Sequence, residues 1–299
     1  MIMRLLLTSI SKVPFAALYF VSNVFYLLNK HVIRYRYDVV RNNLRSAFPE
    51  RSEKEIDSLT EETFRNLADL LVESIKGIGI TRDQLEQRVR VTASNRVKEL
   101  VEQGTPLIFL TAHHCNWEWL LLYSCIHLPQ PLIVAYQPFH DKHFDDFMLE
   151  ARTRFGGTAV PATDLIRQVL KYRKQMKTLT LLADQSPSRN ERKYWTQFLN
   201  QETAFIDGTD SLAWLTGMPI VFVRTKREKR GHYHASLDVI AEPPYEKYSH
   251  RVVERYAREL EATIRNDPAS WLWSHKRWKF SRTADEQARM NASGESMES

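Results

Sequence analysis

Hydrophobic positions along the chain change their period twice, and the changes divide it into three stretches. Residues 1–29 carry only two charges, Arg4 and Lys12, around Leu5-Leu6-Leu7 and an apolar run from Val13 to Leu28. That run is shorter than the ~20 apolar residues a membrane-spanning helix needs, and Pro14, Ser22 and Asn23 interrupt it. No small-x-small cleavage site follows, whereas Lys30, Arg34 and Arg36 form a positive flank of the kind found on the cytoplasmic side of a membrane segment. The pattern predicts a hydrophobic membrane anchor or interfacial segment over residues 1–29, with a buried core helix as the alternative.

From Tyr37 to Ile80 the period is helical. Val39, Val40, Leu44 and Phe48 recur on one face until Pro49 stops the run. Ser52-x-x-Glu55 has the form of a capping box opening a second helix, with Ile56, Leu59, Phe64, Leu67, Leu70 and Leu71 on its packing face. Glu73, late in that helix, reads as a solvated charge.

Beyond Arg90, short apolar runs alternate with amphipathic stretches. The runs at 107–110, 132–136, 179–183 and 220–223 read as buried strands, and those at 117–126, 143–155, 164–172 and 208–215 as helices between them. Tyr233 to Ile240 alternates like a strand at a sheet edge, and Val252 to Ile264 reads as a closing helix. Short, fully apolar strands separated by helices predict an α/β fold: a mostly parallel central sheet covered by helices on both faces, preceded by the N-terminal hydrophobic helix and a helical layer. The expected organisation is an anchor at 1–29, one catalytic-size domain at 30–284 and a polar, disordered tail at 285–299.

Composition excludes several classes. A chain with 43% hydrophobic and 26% charged residues can bury a core, so it is not disordered overall. Nine glycines and no phosphate-cradling loop leave a nucleotide fold without support. Two cysteines, Cys115 and Cys125, give neither a disulfide framework nor a zinc pattern, and suit a reducing compartment. The net charge of +6 concentrates in 30–45, 224–234 and 275–282, stretches suited to an anionic membrane or an acidic partner. Nucleic acid is not among the partners expected.

In such a sheet ligands bind beyond the carboxyl ends of the strands, so the polar residues just past each run are the candidates for chemistry. They are His113 and Glu118, then Gln137, then Asp184, with Arg152 and Arg154 closing the intervening helix. On one continuous helix His113 and Glu118 would lie about 140° apart. They meet only if His113 precedes the helix and Asn116 caps it, which puts Glu118 in the first turn. A carboxylate on one imidazole nitrogen fixes the tautomer and leaves the other nitrogen its lone pair, as a general base requires. The nucleophile elbow Gly-x-Ser-x-Gly is absent, favouring direct attack by an acceptor substrate. Cys115, two residues from His113, leaves a covalent acyl-enzyme route as the alternative.

The block His113-His114-Cys115-Asn116-Trp117-Glu118 resembles the His-x-Gly-Asn-Trp-Glu block of the lysophospholipid acyltransferase superfamily, in its lipid A late (secondary) acyltransferase branch. The similarity extends upstream to Asn43-Leu44 through Phe48-Pro49. Downstream it covers Tyr136-Gln137-Pro138, Arg152-x-Arg154, Ala183-Asp184-Gln185 and the tryptophan-rich 271–279. The chain departs from the pattern at Gln137, where Arg is usual, and at Cys115, where Gly is usual. The resemblance implies acyl transfer from a thioester, acyl carrier protein before coenzyme A, to a hydroxyl of a lipid A precursor at the cytoplasmic face of the inner membrane, without metal or cofactor. It implies His113 as base with Glu118 orienting it, and Arg152, Arg154, Asp184, Gln137 and Asn116 as substrate-binding positions. Another lipid acceptor, water as acceptor, or an inactive membrane scaffold are the rival readings.

Overall fold

The four apolar runs become the centre of one seven-stranded sheet in the computed structural model, which describes residues 2–172, 177–189 and 191–283. The tail expected at 285–299 lies outside the described residues. The strands are β1 (Val89–Ala93), β2 (Ile108–Thr111), β3 (Leu132–Tyr136), β4 (Thr158–Pro161), β5 (Thr178–Leu182), β6 (Lys193–Phe198), β7 (Gln201–Ile206), β8 (Ile220–Lys229) and β9 (His232–Ala241). The helices are α1 (Ile2–Ser11), α2 (Phe15–Leu28), α3 (Tyr37–Ala47), α4 (Glu53–Gly77), α5 (Arg82–Glu86) and α6 (Asn95–Glu102). They continue with α7 (Trp117–His127), α8 (Lys142–Thr153), α9 (Leu165–Tyr172), α10 (Gly208–Thr216) and α11 (Arg251–Asn266).

The sheet runs β1-β9-β8-β2-β5-β3-β4, and every pairing is parallel except β8 with β9. Adjacent residues of the central strands face opposite layers. Ile108 and Leu110 of β2 join a cluster with Leu44, Ile56, Phe222, Tyr256 and Trp273, whereas Leu107 and Phe109 join Val97, Trp119, Val134 and Val221 on the other side. Both faces are therefore covered, which is why these strands read as unbroken apolar runs.

Three features depart from expectation. The strand at 233–240 is internal, because β1, whose residues alternate between buried and exposed and so give no apolar run, pairs outside it and takes the edge. The antiparallel hairpin of β6 and β7 was not anticipated. Its strands are polar and aromatic, and its turn is made by Leu199 and Asn200, both at positive φ (50° and 61°). Leu71 is exposed instead of packed.

The helical layer forms as its spacing predicts. Ser52 and Glu55 cap each other reciprocally at the start of α4, with the Ser52 amide donating to Glu55 Oε2 at 2.8 Å. Against α4 lies α2, burying Leu18, Ser22 and Tyr26 and turning Phe20, Val24 and Leu27 outward.

Phe222 lies near the start of β8, fully buried and edge-on to Tyr256 of α11 at 5.8 Å. Phe222→Ala is expected to destabilise the fold by about 3–5 kcal/mol, read as a lowered midpoint in denaturant titration.

Candidate active site

The site starts from a register. β2 and β5 pair in parallel with Ile108 opposite Leu179 and Thr111 opposite Leu182, an offset of 71 residues. Continued two residues past the strand ends, the same offset sets His113 beside Asp184. His113 Nδ1 and Asp184 Oδ1 are 2.7 Å apart, and the His113 amide donates to Asp184 Oδ2 at 3.0 Å. The indole of Trp271 gives Oδ2 a further donor at 2.8 Å.

Asp184 is only 2% exposed. Burial pushes its carboxyl pKa up, but the imidazole of His113, the indole and the backbone amide outweigh that and hold it below the usual carboxylate range. An ionised Asp184 accepts from His113, so the proton sits on Nδ1 and Nε2 keeps its lone pair. The Nε2 side carries the amide of Gln185 at 3.3 Å, and the ring lies edge-on to Trp117 at 4.8 Å.

The carboxylate on His113 is thus Asp184 and not Glu118, as expected from the helix-start argument. Asn116 does cap α7, accepting from the Trp119 amide at 3.0 Å, and Glu118 does fall in the first turn. Its two oxygens, however, receive the guanidinium of Arg152 from α8 in a two-point pair at 2.9 and 2.5 Å. The parallel register decides this, since it fixes Asp184 alongside His113 while α7 carries Glu118 on toward α8.

The other positions divide. Gln137 follows β3 and is exposed. Arg154 donates from its guanidinium to the carbonyl of Ile78 at 3.2 Å and to that of Ile80, holding the loop after α4. Asn116 is 2% exposed, and both ends of its amide are engaged within the protein, so it shapes the turn and offers nothing to a ligand. Cys115 is buried at φ 55°, and burial raises its thiol pKa well above the ordinary value, which keeps it protonated and unlike an attacking thiolate. Its Sγ lies 3.3 Å from His114 Nδ1 and 3.8 Å from Asp267 Oδ2. Those three residues could share a metal ion, their ligand atoms lying within 4.8 Å of one another, but His114 is already bonded through Nδ1 to Thr225 and through Nε2 to the Asp267 carbonyl.

The basic stretches also resolve differently from a free surface. Arg224 pairs with Asp238 and Glu259, Arg227 and Arg230 both pair with Asp69, and Arg277 is buried. Three residues have roles that the sequence did not show. Trp271 supplies a donor to Asp184. His275 accepts from the Ser186 amide at 3.1 Å, and burial with the neighbouring Arg277 charge lowers its pKa to about 4. Glu73, far from solvated, is 1% exposed. The capping role of Asn116 is a sequence signal that points toward this layer.

The His–Asp pair thus lies beyond the carboxyl ends of two parallel strands, where ligands bind in such a sheet. Bacterial lipid A biosynthesis acyltransferases match residues 2–280, and the chain belongs to that family. It is an O-acyltransferase. It is 22% identical over 275 residues to the lipid A biosynthesis palmitoleoyltransferase of Escherichia coli (strain K12), covering 90% of this chain and 87% of that protein. The lipid A biosynthesis acyltransferase of Shigella flexneri matches with the same identity and coverage.

Because the Cys115 thiol is protonated and walled in, Cys115→Ala is expected to retain acyl transfer. Loss of product by mass spectrometry, with the circular dichroism spectrum unchanged, would restore the covalent route.

Proposed function

We propose that the protein moves a fatty acyl chain from an acyl thioester, carried by acyl carrier protein before coenzyme A, to a hydroxyl of a lipid A precursor. The observation that carries this is an imidazole whose Nδ1 is held by Asp184, which leaves Nε2, beside the Gln185 side-chain amide, as the basic nitrogen. Nε2 takes the proton of the acceptor hydroxyl as its oxygen attacks the thioester carbon. The tetrahedral oxyanion then collapses, the carbon–sulfur bond breaks, and the leaving sulfur takes the proton back from Nε2. Asp184 orients the ring and offsets the imidazolium charge. Glu118 fixes Arg152, whose remaining N–H donors suit the oxyanion or a substrate phosphate. A narrow, largely apolar groove lined in part by Leu67, Leu70, Trp117 and Trp271 lies beside the two tryptophans that contact the pair.

The membrane reading rests on the N-terminal helices. Among the described residues no single helix is long and apolar enough to cross a bilayer, and the apolar pair of α1 and α2 bends by 118°. Phe20, Val32 and Ile33 are 69%, 72% and 64% exposed, next to the basic flank at Lys30 to Arg36. Such a surface fits one that lies in the interface of an anionic leaflet, with the site on the cytoplasmic side.

With purified protein, carrier-protein donor and lipid A precursor, His113→Ala is expected to lower product formation by about 10²–10⁴-fold, and Asp184→Asn to lower it by a similar factor through the wrong tautomer. Full activity in His113→Ala would sink the mechanism, and free fatty acid formed equally fast without the lipid would point to hydrolysis. Phe20→Asp combined with Val32→Asp is expected to abolish flotation with anionic vesicles while leaving the circular dichroism spectrum intact; continued flotation would remove the interfacial reading.

A further inference from the structure

The buried Glu73 carboxylate lies between the N-terminal helix and the turn that bears the general base. Tyr19 of α2 donates to Glu73 Oε1 at 2.8 Å, and Asn116 Nδ2 donates to Oε2 at 2.8 Å. Tyr233 of β9 also donates to Oε2, at 2.6 Å, and the indole of Trp119 donates to the Glu73 carbonyl at 2.9 Å. Asn116 Oδ1 meanwhile accepts the Trp119 amide that starts α7. The position of Glu118, and the path of the chain from His113 into the helix, therefore depend on an amide whose other end is held by Glu73.

Two further contacts run the same way. Phe15, at the start of α2, packs edge-on to Trp119 of α7 at 5.9 Å. Ser22 of α2 donates to Asp69 at 2.5 Å; Asp69 pairs with Arg227, whose amide donates to Asp267, and the Asp267 carbonyl holds His114. The fit around Tyr19 is tight as well. Gly231, at φ 68° in the β8–β9 turn, lies so close to the Tyr19 hydroxyl that an added Cβ would overlap it.

We propose that α2 is a working part of the catalytic centre and not a detachable anchor: Tyr19, through Glu73 and Asn116, positions the turn that carries His113 and Glu118. Tyr19 and Glu73 are positioning residues, touching neither substrate nor reacting atoms. Glu73 and Asn116 are shut off from solvent, so water does not replace a partner lost there and the displacement is passed on. Small misplacements of a base cost rate more than binding, so the expected signature is a fall in kcat. The outward side of α2 being the surface read above as membrane-facing, the same helix would then serve both docking and geometry. The proposal rests on His113 as base.

The test uses the full-length protein in detergent micelles without vesicles, so that docking to a bilayer does not enter. Tyr19→Phe removes one hydroxyl and is expected to lower kcat about 5- to 10-fold, with the KM for the acyl thioester changed less than about twofold. Glu73→Leu is expected to lower kcat further. Glu73→Gln should recover most of the activity, because its Oε1 can still accept from Asn116 and Tyr233 while its amide donates to Tyr19. Flotation of Tyr19→Phe with anionic vesicles should match that of the unaltered protein. Wild-type kcat in Tyr19→Phe overturns the proposal, as does a lowered melting temperature alone, and Tyr19→Phe decides the matter if Glu73→Leu does not fold. An inactive His113→Ala beside a fully active Tyr19→Phe defeats this inference only; an active His113→Ala defeats the mechanism beneath it.

Discussion

The carboxylate of Asp184 is the point on which the site depends. A carboxylate taken out of water costs several kcal/mol unless donors replace the solvent, and here the imidazole of His113, its own backbone amide and the indole of Trp271 do so together. The donors come from two different consequences of folding. The amide and ring arrive through the β2–β5 register, and the indole through the return of the chain after α11. That return is fixed by backbone bonds on both sides of the pair: the Leu272 amide donates to the His113 carbonyl at 3.0 Å and the Cys115 amide to that of Ser270 at 2.9 Å. The base is thus clamped by two segments, one 71 residues on in sequence and the other more than 150, of which only the first adjoins a neighbouring strand.

The helical layer extends this clamp outward. Glu73 and Asp69, one turn apart on α4, are both buried, and each gathers donors from α2 and from the β8–β9 region. For Glu73, burial raises the carboxyl pKa despite the hydrogen bonds from Tyr233, Asn116 and Tyr19. The polar side of α2 therefore belongs to the interior, while its apolar side is the exposed one. That inversion of the usual arrangement explains why so hydrophobic a segment gives a helix with only Leu18, Ser22 and Tyr26 buried.

Pairing among charges, more than their number, shapes the surface. The stretch from Arg224 to Arg230 is basic by count, yet three of its arginines face Asp69, Asp238 or Glu259. The same holds for Arg152, whose charge is shared with Glu118 before any substrate arrives. A bidentate pair of this kind orients the guanidinium, so that its unused donors point in a fixed direction.

Several features were set by the sequence alone, because they depend on near neighbours in the chain. The apolar runs at 107–110, 132–136, 179–183 and 220–223 were legible as strands buried on both faces, Ser52 and Glu55 as a cap, and Asn116 as the start of α7. His113 and Asp184 each stood out as a polar residue past a strand end, and the block around His113, together with the blocks that follow it in order, carried the family resemblance. Tertiary structure decided which carboxylate met which base. Glu118 is five residues from His113 and Asp184 is 71, yet strand pairing brings the distant one to Nδ1 and helix direction takes the near one to Arg152. Tertiary structure also turned Glu73 and the arginines of 224–230 inward. A charge reads as solvated until the donors or acceptors that replace its water are known, and here those partners lie on elements distant in sequence.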